Sequence, residues 1–231
     1  MGYCSRAQAA ELIAGGRVRL NGVLLRNGEM PVRLGHDKIA VDGREIGAAE
    51  KTYWMLNKPR GVVTTASDEK GRETVYHYLD ENRGWLAPVG RLDKASEGLL
   101  LLTNDSEWAA QILAPLSHVP KTYHVQIAAL AGEPLLEALR KGVHDGKDFL
   151  RVQGVRELRR GERNSWLEIV LHEGKNRQIR RMLESQAVEV LRLVRVAIGG
   201  LTLGDLAKGS SRELTTQEKS AIDMELRKQQ S

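Results

Sequence analysis

The chain carries near its middle the stretch Gly90-Arg-Leu-Asp-Lys-Ala-Ser-Glu-Gly-Leu-Leu-Leu-Leu-Thr-Asn-Asp105. Residues 99–102 form a continuous apolar run that is too short for a helix and predicts a strand covered on both faces. Gly90 and Gly98 bracket the preceding loop and mark tight backbone turns. Because a strand buried on both faces needs packed layers on each side, this segment predicts the centre of a sheet.

Further strands and helices are predicted on both sides of this central strand. Alternating apolar residues or short apolar runs between turn signals predict strands at 53–56, 62–64, 121–127, 166–171 and 191–198. Apolar spacing and start signals predict helices that begin near Ser106, Pro134, Asn176 and Thr215. Because few of the strands alternate with regular helices, the pattern favours an α+β fold with a mixed, largely antiparallel sheet over a doubly wound parallel one.

Residues 1–47 are predicted to form a small separate α/β unit. Ser5 and Gln8 have the spacing of a capping box ahead of a helix that ends at Gly15-Gly16. Asn21-Gly22 and Asp42-Gly43 each lie between short apolar segments and predict two-residue hairpins. The candidates for contact with phosphate in this unit are Arg6, Arg17 and Arg19.

Composition limits the class of protein. The 231 residues carry 35 Lys and Arg against 30 Asp and Glu, a formal net charge of +5 that permits an anionic partner without requiring one. The single cysteine, Cys4, excludes a disulfide framework within one chain and any site that needs several cysteines. It also favours a cytoplasmic protein over a secreted one. The sequence has no apolar run long enough to cross a membrane and no apolar signal core at its start.

Motifs for cofactor chemistry are missing from the sequence. The 6 histidines show no paired metal-ligand spacing, so no metal site is predicted. The chain has no phosphate-binding Gly-x-x-x-x-Gly-Lys segment, no strand-linked Gly-x-Gly-x-x-Gly and no Gly-x-Ser-x-Gly. If the protein is an enzyme, we therefore expect it to use neither a metal nor an organic cofactor.

Asp93 is the first candidate catalytic residue. Arg91 and Lys94 flank it at the entrance to the central strand, and neighbouring cations keep a carboxylate ionised. An ionised carboxylate at that position suits a nucleophile or a general base. The alternative is a structural role, in which Asp93 forms an ion pair or closes a turn.

Tyr123 is the second candidate. Strand alternation places Lys121 and Tyr123 on one face of the predicted strand and His124 on the other. A tyrosine there would stack on a base or move a proton. The alternative is a half-buried core tyrosine whose hydroxyl is hydrogen-bonded.

Segment 173–183 is the third candidate and is rich in cations. Positive charge at a helix start is unfavourable for the helix dipole unless an anion lies there, and RNA phosphate is a natural anion for that place. The alternative is a solvated basic face. The cations in question are Lys175, Arg177, Arg180 and Arg181.

Four motifs, in this order and spacing, resemble those of the RsuA-type pseudouridine synthases. They are Lys58-Pro-Arg-Gly-Val-Val63, the 90–105 stretch, Lys121-Thr-Tyr-x-Val125 and Glu173-Gly-x-Asn-Arg-Gln-Ile-Arg-Arg-Met182. The resemblance covers residues 52–217. Residues 5–22 are similar to the RNA-binding module of ribosomal protein S-four, which often precedes this catalytic domain.

The resemblance implies that the protein isomerises uridine in RNA to pseudouridine without a cofactor. The bond from sugar to uracil nitrogen would break, and the base would turn and rejoin through carbon after leaving its stack. The resemblance assigns catalysis to Asp93, packing on the base and proton acceptance to Tyr123, and pairing with the aspartate to Lys175, where the family usually has arginine. Arg91 would help to place the flipped nucleotide. Whether Asp93 attacks the sugar or starts an elimination stays open.

These observations together predict three parts. They are an S-four-like module at 1–47 without its usual leading helix, a pseudouridine synthase domain at 52–217 and a polar helix or tail at 218–231. We expect a monomer whose partner is ribosomal RNA or a ribosomal subunit precursor, with the large subunit favoured, and no membrane. The predicted RNA-binding residues are Lys58, Arg91, Arg177, Arg180, Arg181, Arg6, Arg17 and Arg19. The alternatives are a non-catalytic RNA-binding or ribosome-assembly protein, and the same reaction on small-subunit or transfer RNA.

Overall fold

The computed structural model describes residues 2–33, 35–66, 68, 70–80, 84–114 and 118–228. Of the predicted segment 218–231, the last three residues therefore lie outside the described part. The helices are α1 (Arg6–Ala14), α2 (Ser106–Leu113), α3 (Glu133–Lys141), α4 (Gln178–Glu184) and α5 (Thr216–Lys228), with a 3-10 turn at Val75–Tyr78. The strands are β1 (Val18–Leu20), β2 (Val23–Leu24), β3 (Ile39–Val41), β4 (Arg44–Ile46), β5 (Tyr53–Lys58), β6 (Ala87–Pro88), β7 (Glu97–Thr103), β8 (Lys121–Ile127), β9 (Val143–Asp145), β10 (Asp148–Leu150), β11 (Gly154–Arg160), β12 (Ser165–Leu171), β13 (Val190–Ile198), β14 (Leu201–Thr202) and β15 (Ser211–Glu213).

The N-terminal unit is one helix beside a four-stranded sheet of order β2-β1-β3-β4. Both predicted hairpins form there, because Asn21-Gly22 and Asp42-Gly43 adopt the positive φ angles that two-residue turns of this kind require. The predicted capping box of α1 is also confirmed, since Ser5 and Gln8 exchange hydrogen bonds with each other's backbone N–H at 3.0 and 3.1 Å. Local turn and cap chemistry thus accounts for this unit.

The larger unit is built on a nine-stranded sheet whose main path is β11-β12-β8-β13-β7-β5-β15. Neighbouring strands of this path are antiparallel except β13 and β7, which run parallel. The predicted α+β class with a mixed, largely antiparallel sheet is therefore confirmed. Strands predicted at 53–56, 121–127, 166–171 and 191–198 lie within β5, β8, β12 and β13.

The central strand β7 is buried along its whole length, as its apolar run predicts. Leu99 and Leu101 pack in one cluster with residues of α2 and α5, whereas Leu100 and Leu102 pack in another with the 3-10 turn. Both faces of β7 are therefore covered. The loop at 90–96 leads directly into this rigid strand, which fixes where the loop ends.

Gly98 allows β7 to approach β13 closely. The parallel register places Gly98 beside Arg195. A Cβ atom on Gly98 would lie 2.3 Å from the backbone oxygen of Arg195, and the backbone of Gly98 has a φ of +99°. Only glycine tolerates that combination of positive φ and backbone contact. The glycine predicted to mark a turn therefore also joins the two parallel strands.

The predicted strand at 62–64 does not form, and this expectation was wrong. Pro59 and the positive φ of Gly61 turn the chain away from β5. The Gly61 N–H then donates to the carbonyl of Lys94 at 2.7 Å, and the Val63 N–H donates to Glu73 at 3.0 Å. The segment therefore braces the loop before β7 instead of extending the sheet.

Helix α5 packs against the same core as β7. Its buried Ile222 and Leu226 belong to the cluster that contains Leu99. At its start, the Thr215 backbone donates to the Glu218 carboxylate at 2.8 Å, and the Glu218 N–H donates to the Thr215 hydroxyl at 3.2 Å, so the predicted capping box is present. Arg212 of β15 donates to the same carboxylate at 2.6 and 2.8 Å.

We expect Glu218→Gln to weaken folding at neutral pH and to change its acid dependence. The hydrogen bonds from Arg212 hold the pKa of the Glu218 carboxyl at about 2, against an ordinary value of 4.5. Because the folded-state pKa is lowered, the stabilisation is present above pH 4.5 and is lost as the pH falls through 2. The Arg212 side chain is 41% exposed, and solvent screening reduces the expected effect to about 1 kcal/mol.

Urea unfolding of wild type and Glu218→Gln at pH 7 and at pH 3 measures this effect. The difference in the free energy of unfolding should be smaller at pH 3. An equal difference at both pH values would show that Glu218 acts through packing and not through its charge.

Candidate active site

A cleft with a volume of about 1030 Å³ opens where the loop at 90–96, strand β8 and the segment before α4 meet. The three candidate segments of the sequence analysis all contribute side chains to the lining of this cleft, including Asp93, Tyr123, Lys175 and Arg180. Residues that are far apart in the sequence are therefore brought to one concave surface, of a size that suits a small ligand or one nucleotide.

Asp93 lies on a loop that is held through its backbone. The Ser96 N–H closes a turn onto the Asp93 carbonyl at 2.9 Å, and the Gly61 N–H holds the neighbouring Lys94 carbonyl. Across the described residues, the Asp93 carboxylate has no ion pair within 4.0 Å and accepts no hydrogen bond. The backbone of Asp93 is therefore held in position, and its half-buried carboxylate is open to a ligand.

Lys58 lies beneath this loop and is completely buried. Its ammonium donates to the carbonyls of Pro59, Asp93 and Ser96 at 3.1, 3.1 and 2.9 Å. Burial lowers the pKa of Lys58 to about 8, although the charges of Asp93 and Glu97 oppose that shift. The ammonium of Lys58 is occupied by these three backbone carbonyls and is buried. In this structure Lys58 therefore does not offer the RNA contact that was predicted for it.

Tyr123 lies in the middle of β8, beside Arg195 of β13 in the sheet register. Its ring packs against two of the hydrophobic clusters and also lines the cleft. The predicted alternation is confirmed, since Lys121 and Tyr123 line the cleft while His124 lies near Glu168, at 3.6 Å. The tyrosine therefore presents a ring that the core holds rigidly.

The basic segment starts its helix later than predicted. Helix α4 begins at Gln178, and Arg177 precedes it with a φ of +50°. Lys175 donates to the Phe149 carbonyl at 3.0 Å, and its ammonium is 3.9 Å from the Asp148 carboxylate. Among the described ion pairs, none joins Lys175 to Asp93.

Arg180 is the cation of this segment whose charge acts on Asp93. Its guanidinium donates to the Ala95 carbonyl at 3.0 Å, two residues beyond Asp93. Burial and the charge of Arg177 lower the pKa of Arg180, while the charge of Asp93 raises it. Its Nε is buried and has no hydrogen-bond partner. Arg180 therefore lies against the loop of Asp93.

The other predicted basic residues occupy different surroundings. Arg181 bridges Asp145 and Asp148 of the β9–β10 hairpin, the latter at 2.8 Å. Arg91 and Arg177 are exposed at the cleft. In the N-terminal unit Arg6 is exposed, Arg17 pairs with Asp42 at 2.5 Å and Arg19 donates to Gly22 at 3.0 Å.

Two cations of the cleft were not among the predicted site residues. Arg195 is 6% exposed, and Lys121 is half-buried. The signal for Arg195 was an arginine that follows two apolar residues and precedes three more in the strand 191–198, which also carries Arg192. The signal for Lys121 was its shared face with Tyr123. Both side chains line the cleft beside Tyr123.

Two kinds of feature are missing from the residues that the structure describes, a cluster of metal ligands and a membrane-crossing helix. They contain no group of three or more His, Cys, Asp or Glu side chains that could hold a metal ion. None of the helices in the described ranges has the length and apolar character that crossing a bilayer requires.

The sequence matches two protein-family models. One, described as RNA pseudouridylate synthase, matches residues 52–185, and the other, the S4 domain, matches residues 1–39. The chain is 37% identical to the ribosomal large subunit pseudouridine synthase B of Bacillus subtilis (strain 168), over 94% of this chain and 89% of that protein. It is 36% identical to an uncharacterized RNA pseudouridine synthase of Aquifex aeolicus (strain VF5), with 94% and 88% covered. A crystal structure of a pseudouridylate synthase superimposes with a TM-score of 0.67 at 30% identity and with 94% of each chain covered.

Proposed function

We propose, since the chain belongs to the RNA pseudouridylate synthase family, that it converts a specific uridine of ribosomal RNA to pseudouridine, with the large-subunit RNA as its target. The relative from Bacillus subtilis is named for the ribosomal large subunit, which supports this choice. The observation that carries the proposal is the Asp93 carboxylate, which lies on a braced loop and lines the same cleft as Tyr123. In such a cleft a base that has left its stack meets both side chains.

In this reaction Asp93 acts on the ribose. Its carboxylate either bonds to the sugar carbon C1′ or removes the proton from C2′, and in both routes the bond to uracil N1 breaks. The base then turns, carbon C5 bonds to C1′, and the hydrogen on C5 leaves as a proton. We assign to Tyr123 the roles of packing on the base and accepting that proton.

The cation that acts with Asp93 is, in our proposal, Arg180. Its guanidinium lies on the Asp93 loop, whereas Lys175 bonds to the β9–β10 hairpin. A cation beside the carboxylate favours its ionised form and orients it toward the sugar. Arg180 thus takes the role that the sequence analysis expected for Lys175.

We expect Arg180→Met to slow a single turnover by about 100-fold, since it removes a fixed charge from the reacting carboxylate. Lys175→Met, the matched control in the same segment, should slow it by less than about tenfold. Single-turnover formation of pseudouridine with saturating enzyme measures both, and filter binding reports the Kd for RNA. A larger loss in Lys175→Met would return the pairing role to Lys175.

We propose that RNA lies across both units. An S-four-like module at 1–47 would hold the RNA through Arg6, Arg17 and Arg19, while exposed Arg91 and Arg177 contact phosphates at the cleft. The catalytic domain would run from 52 to 217, and the α5 segment from 218 onward packs on it. Because ribosomal RNA is the proposed substrate, we propose that the protein acts in the cytoplasm and as a monomer.

Release of tritium tests the proposed reaction. Ribosomal RNA carrying uridine tritiated at carbon 5 is incubated with wild type, both as naked RNA and within ribosomal subunits. Formation of pseudouridine must expel that tritium into water. Release, followed by mapping of the modified position to large-subunit RNA, supports the proposal. A modified position in small-subunit or transfer RNA would correct the substrate, and no release from any of these RNAs would favour a non-catalytic RNA-binding protein.

A further inference from the structure

We infer that Arg195 and Lys121 form an oxyanion site that binds the oxygens of the target uracil and stabilises the negative charge that develops on the base. This inference rests on the proposed function and adds to it the groups that stabilise the base while it carries the electron pair of the broken bond. It also assigns to the cleft a base-recognition site distinct from the Asp93 loop.

Arg195 has an unused hydrogen-bond donor at the bottom of the cleft. Its Nε donates to the Leu99 carbonyl at 2.7 Å, but its Nη2 is buried and has no partner. A buried donor without a partner is destabilising, so an unpaired donor beside a cleft indicates a place for a ligand, an ion or a water molecule. No carboxylate within the described residues forms an ion pair with Arg195.

Lys121 adds a second cation at the same place. It donates one long hydrogen bond, of 3.3 Å, to the carbonyl of His172. Burial and the nearby charge of Arg195 lower the pKa of Lys121 to about 8. As with Arg195, no described carboxylate pairs with its ammonium. Two partly desolvated cations without a counter-charge repel each other, and a bound oxyanion would relieve that repulsion.

The position of these cations selects the base as their ligand. Tyr123 and Arg195 are direct neighbours in the register of β8 and β13, so their side chains stand side by side on one face of the sheet. Because Arg195 is only 6% exposed, a group must enter the cleft to reach it. Arg91 and Arg177, to which we assigned the backbone phosphates, are exposed instead.

The electron balance of the reaction places a negative charge on the base. When the bond from C1′ to N1 breaks, its electron pair stays with uracil, and the charge spreads to oxygens O2 and O4. Asp93 meanwhile bonds to C1′ or holds the proton from C2′. When C5 bonds to C1′, the base supplies that electron pair, and the carboxylate is released or returns its proton. The C5 proton then leaves, and N1 takes up a proton from water, which completes the neutral product. Fixed cations beside O2 or O4 stabilise the charged stage of this sequence.

Nucleotide binding to the full chain tests the site without requiring turnover. The probes at pH 7 are uridine 5′-monophosphate, 5-nitrouridine 5′-monophosphate, whose base is an anion at that pH, and ribose 5-phosphate, which lacks a base. Isothermal titration gives each Kd. We expect wild type to bind the nitro nucleotide at least about tenfold more tightly than the uridine nucleotide.

The preference for the anionic base should fall to about twofold or less in Arg195→Gln and in Lys121→Met, and Lys121→Arg should restore part of it. Arg159→Gln, an exposed arginine over Trp166 on the opposite side of the sheet, is the matched control and should keep the full preference. Thermal unfolding checks that each variant folds. If Arg195→Gln does not fold, the comparison of Lys121→Met with Lys121→Arg provides the test.

A preference that survives in both Arg195→Gln and Lys121→Met would overturn the inference. So would an equal loss of affinity for ribose 5-phosphate, which would identify the site as one for phosphate. The tritium assay separates this result from the proposed function. Tritium release without any preference for the anionic base overturns the oxyanion site alone, whereas a preference without release supports the site and overturns the proposed reaction.

Discussion

Asp93→Asn should abolish the formation of pseudouridine, with a rate at least about 10,000-fold below that of wild type, the order of loss seen when a reacting side chain is removed. The amide has the shape of the carboxylate but neither attacks C1′ nor removes a proton from C2′. The loop should stay in place, because its contacts to Lys58, Gly61 and Ser96 use backbone atoms. Tritium release under single-turnover conditions measures the loss.

Binding of RNA should survive the same substitution. We expect the Kd of Asp93→Asn to stay within about tenfold of the wild-type value, which corresponds to about 1.4 kcal/mol. Asp205→Asn, an exposed aspartate of the same chain, is the matched control and should leave both rate and affinity unchanged. Residual turnover near the wild-type rate would remove Asp93 from the chemistry and leave it the structural role considered in the sequence analysis.

Lys58→Met should have the second-largest effect, since it removes the support of the loop that carries Asp93. The substitution keeps most of the buried apolar volume but leaves the carbonyls of Pro59, Asp93 and Ser96 without their donor. We expect a loss of about 3 kcal/mol in the free energy of unfolding, because buried carbonyls that lose their partner are destabilising. The loop should become mobile, and the turnover rate should fall by at least about 100-fold as Asp93 loses its position.

Urea unfolding gives the loss of stability, and tritium release at a temperature where the variant is folded gives the loss of rate. Lys147→Met, at an exposed lysine between β9 and β10, is the matched control. If Lys58→Met lowered the affinity for RNA and left both stability and single-turnover rate unchanged, Lys58 would be the RNA contact that the sequence analysis predicted. Lowered stability with an unchanged rate would mean that the loop holds Asp93 without help from the amine.

The sequence predicted those parts of the fold that depend on local chemistry. The turns at Asn21-Gly22 and Asp42-Gly43, the capping boxes at Ser5 and Thr215, and the buried run at 99–102 all form as expected. The prediction of a strand at 62–64 was wrong, because the backbone of this segment bonds to residues that are distant in the sequence. Neither the turn at Pro59 nor the contact with Lys94 follows from the apolar pattern alone.

The candidate site shows the same limit. Sequence spacing identified Asp93 and Tyr123, because Asp93 lies in a motif just before a predicted strand and Tyr123 lies within one. It did not show which cation lies against Asp93, because that depends on the β9–β10 hairpin, where Asp148 lies near Lys175. The hairpin itself was not predicted. The role of Arg195 depends on an unpaired donor, which only the three-dimensional packing reveals.

The parallel contact between Gly98 and Arg195 also has a consequence for the time at which the protein becomes active. Strands β7 and β13 are distant in sequence, and the loop that carries Asp93 is attached to the first of them. On a translating ribosome, β7 cannot pair with its parallel neighbour until β13 has left the exit tunnel. Pairing over such a separation in sequence is slow, and it comes late in folding. A nascent chain that ends before β13 therefore carries Asp93 without the complete cleft, and we expect RNA near the ribosome to be modified only after synthesis of the sheet is complete.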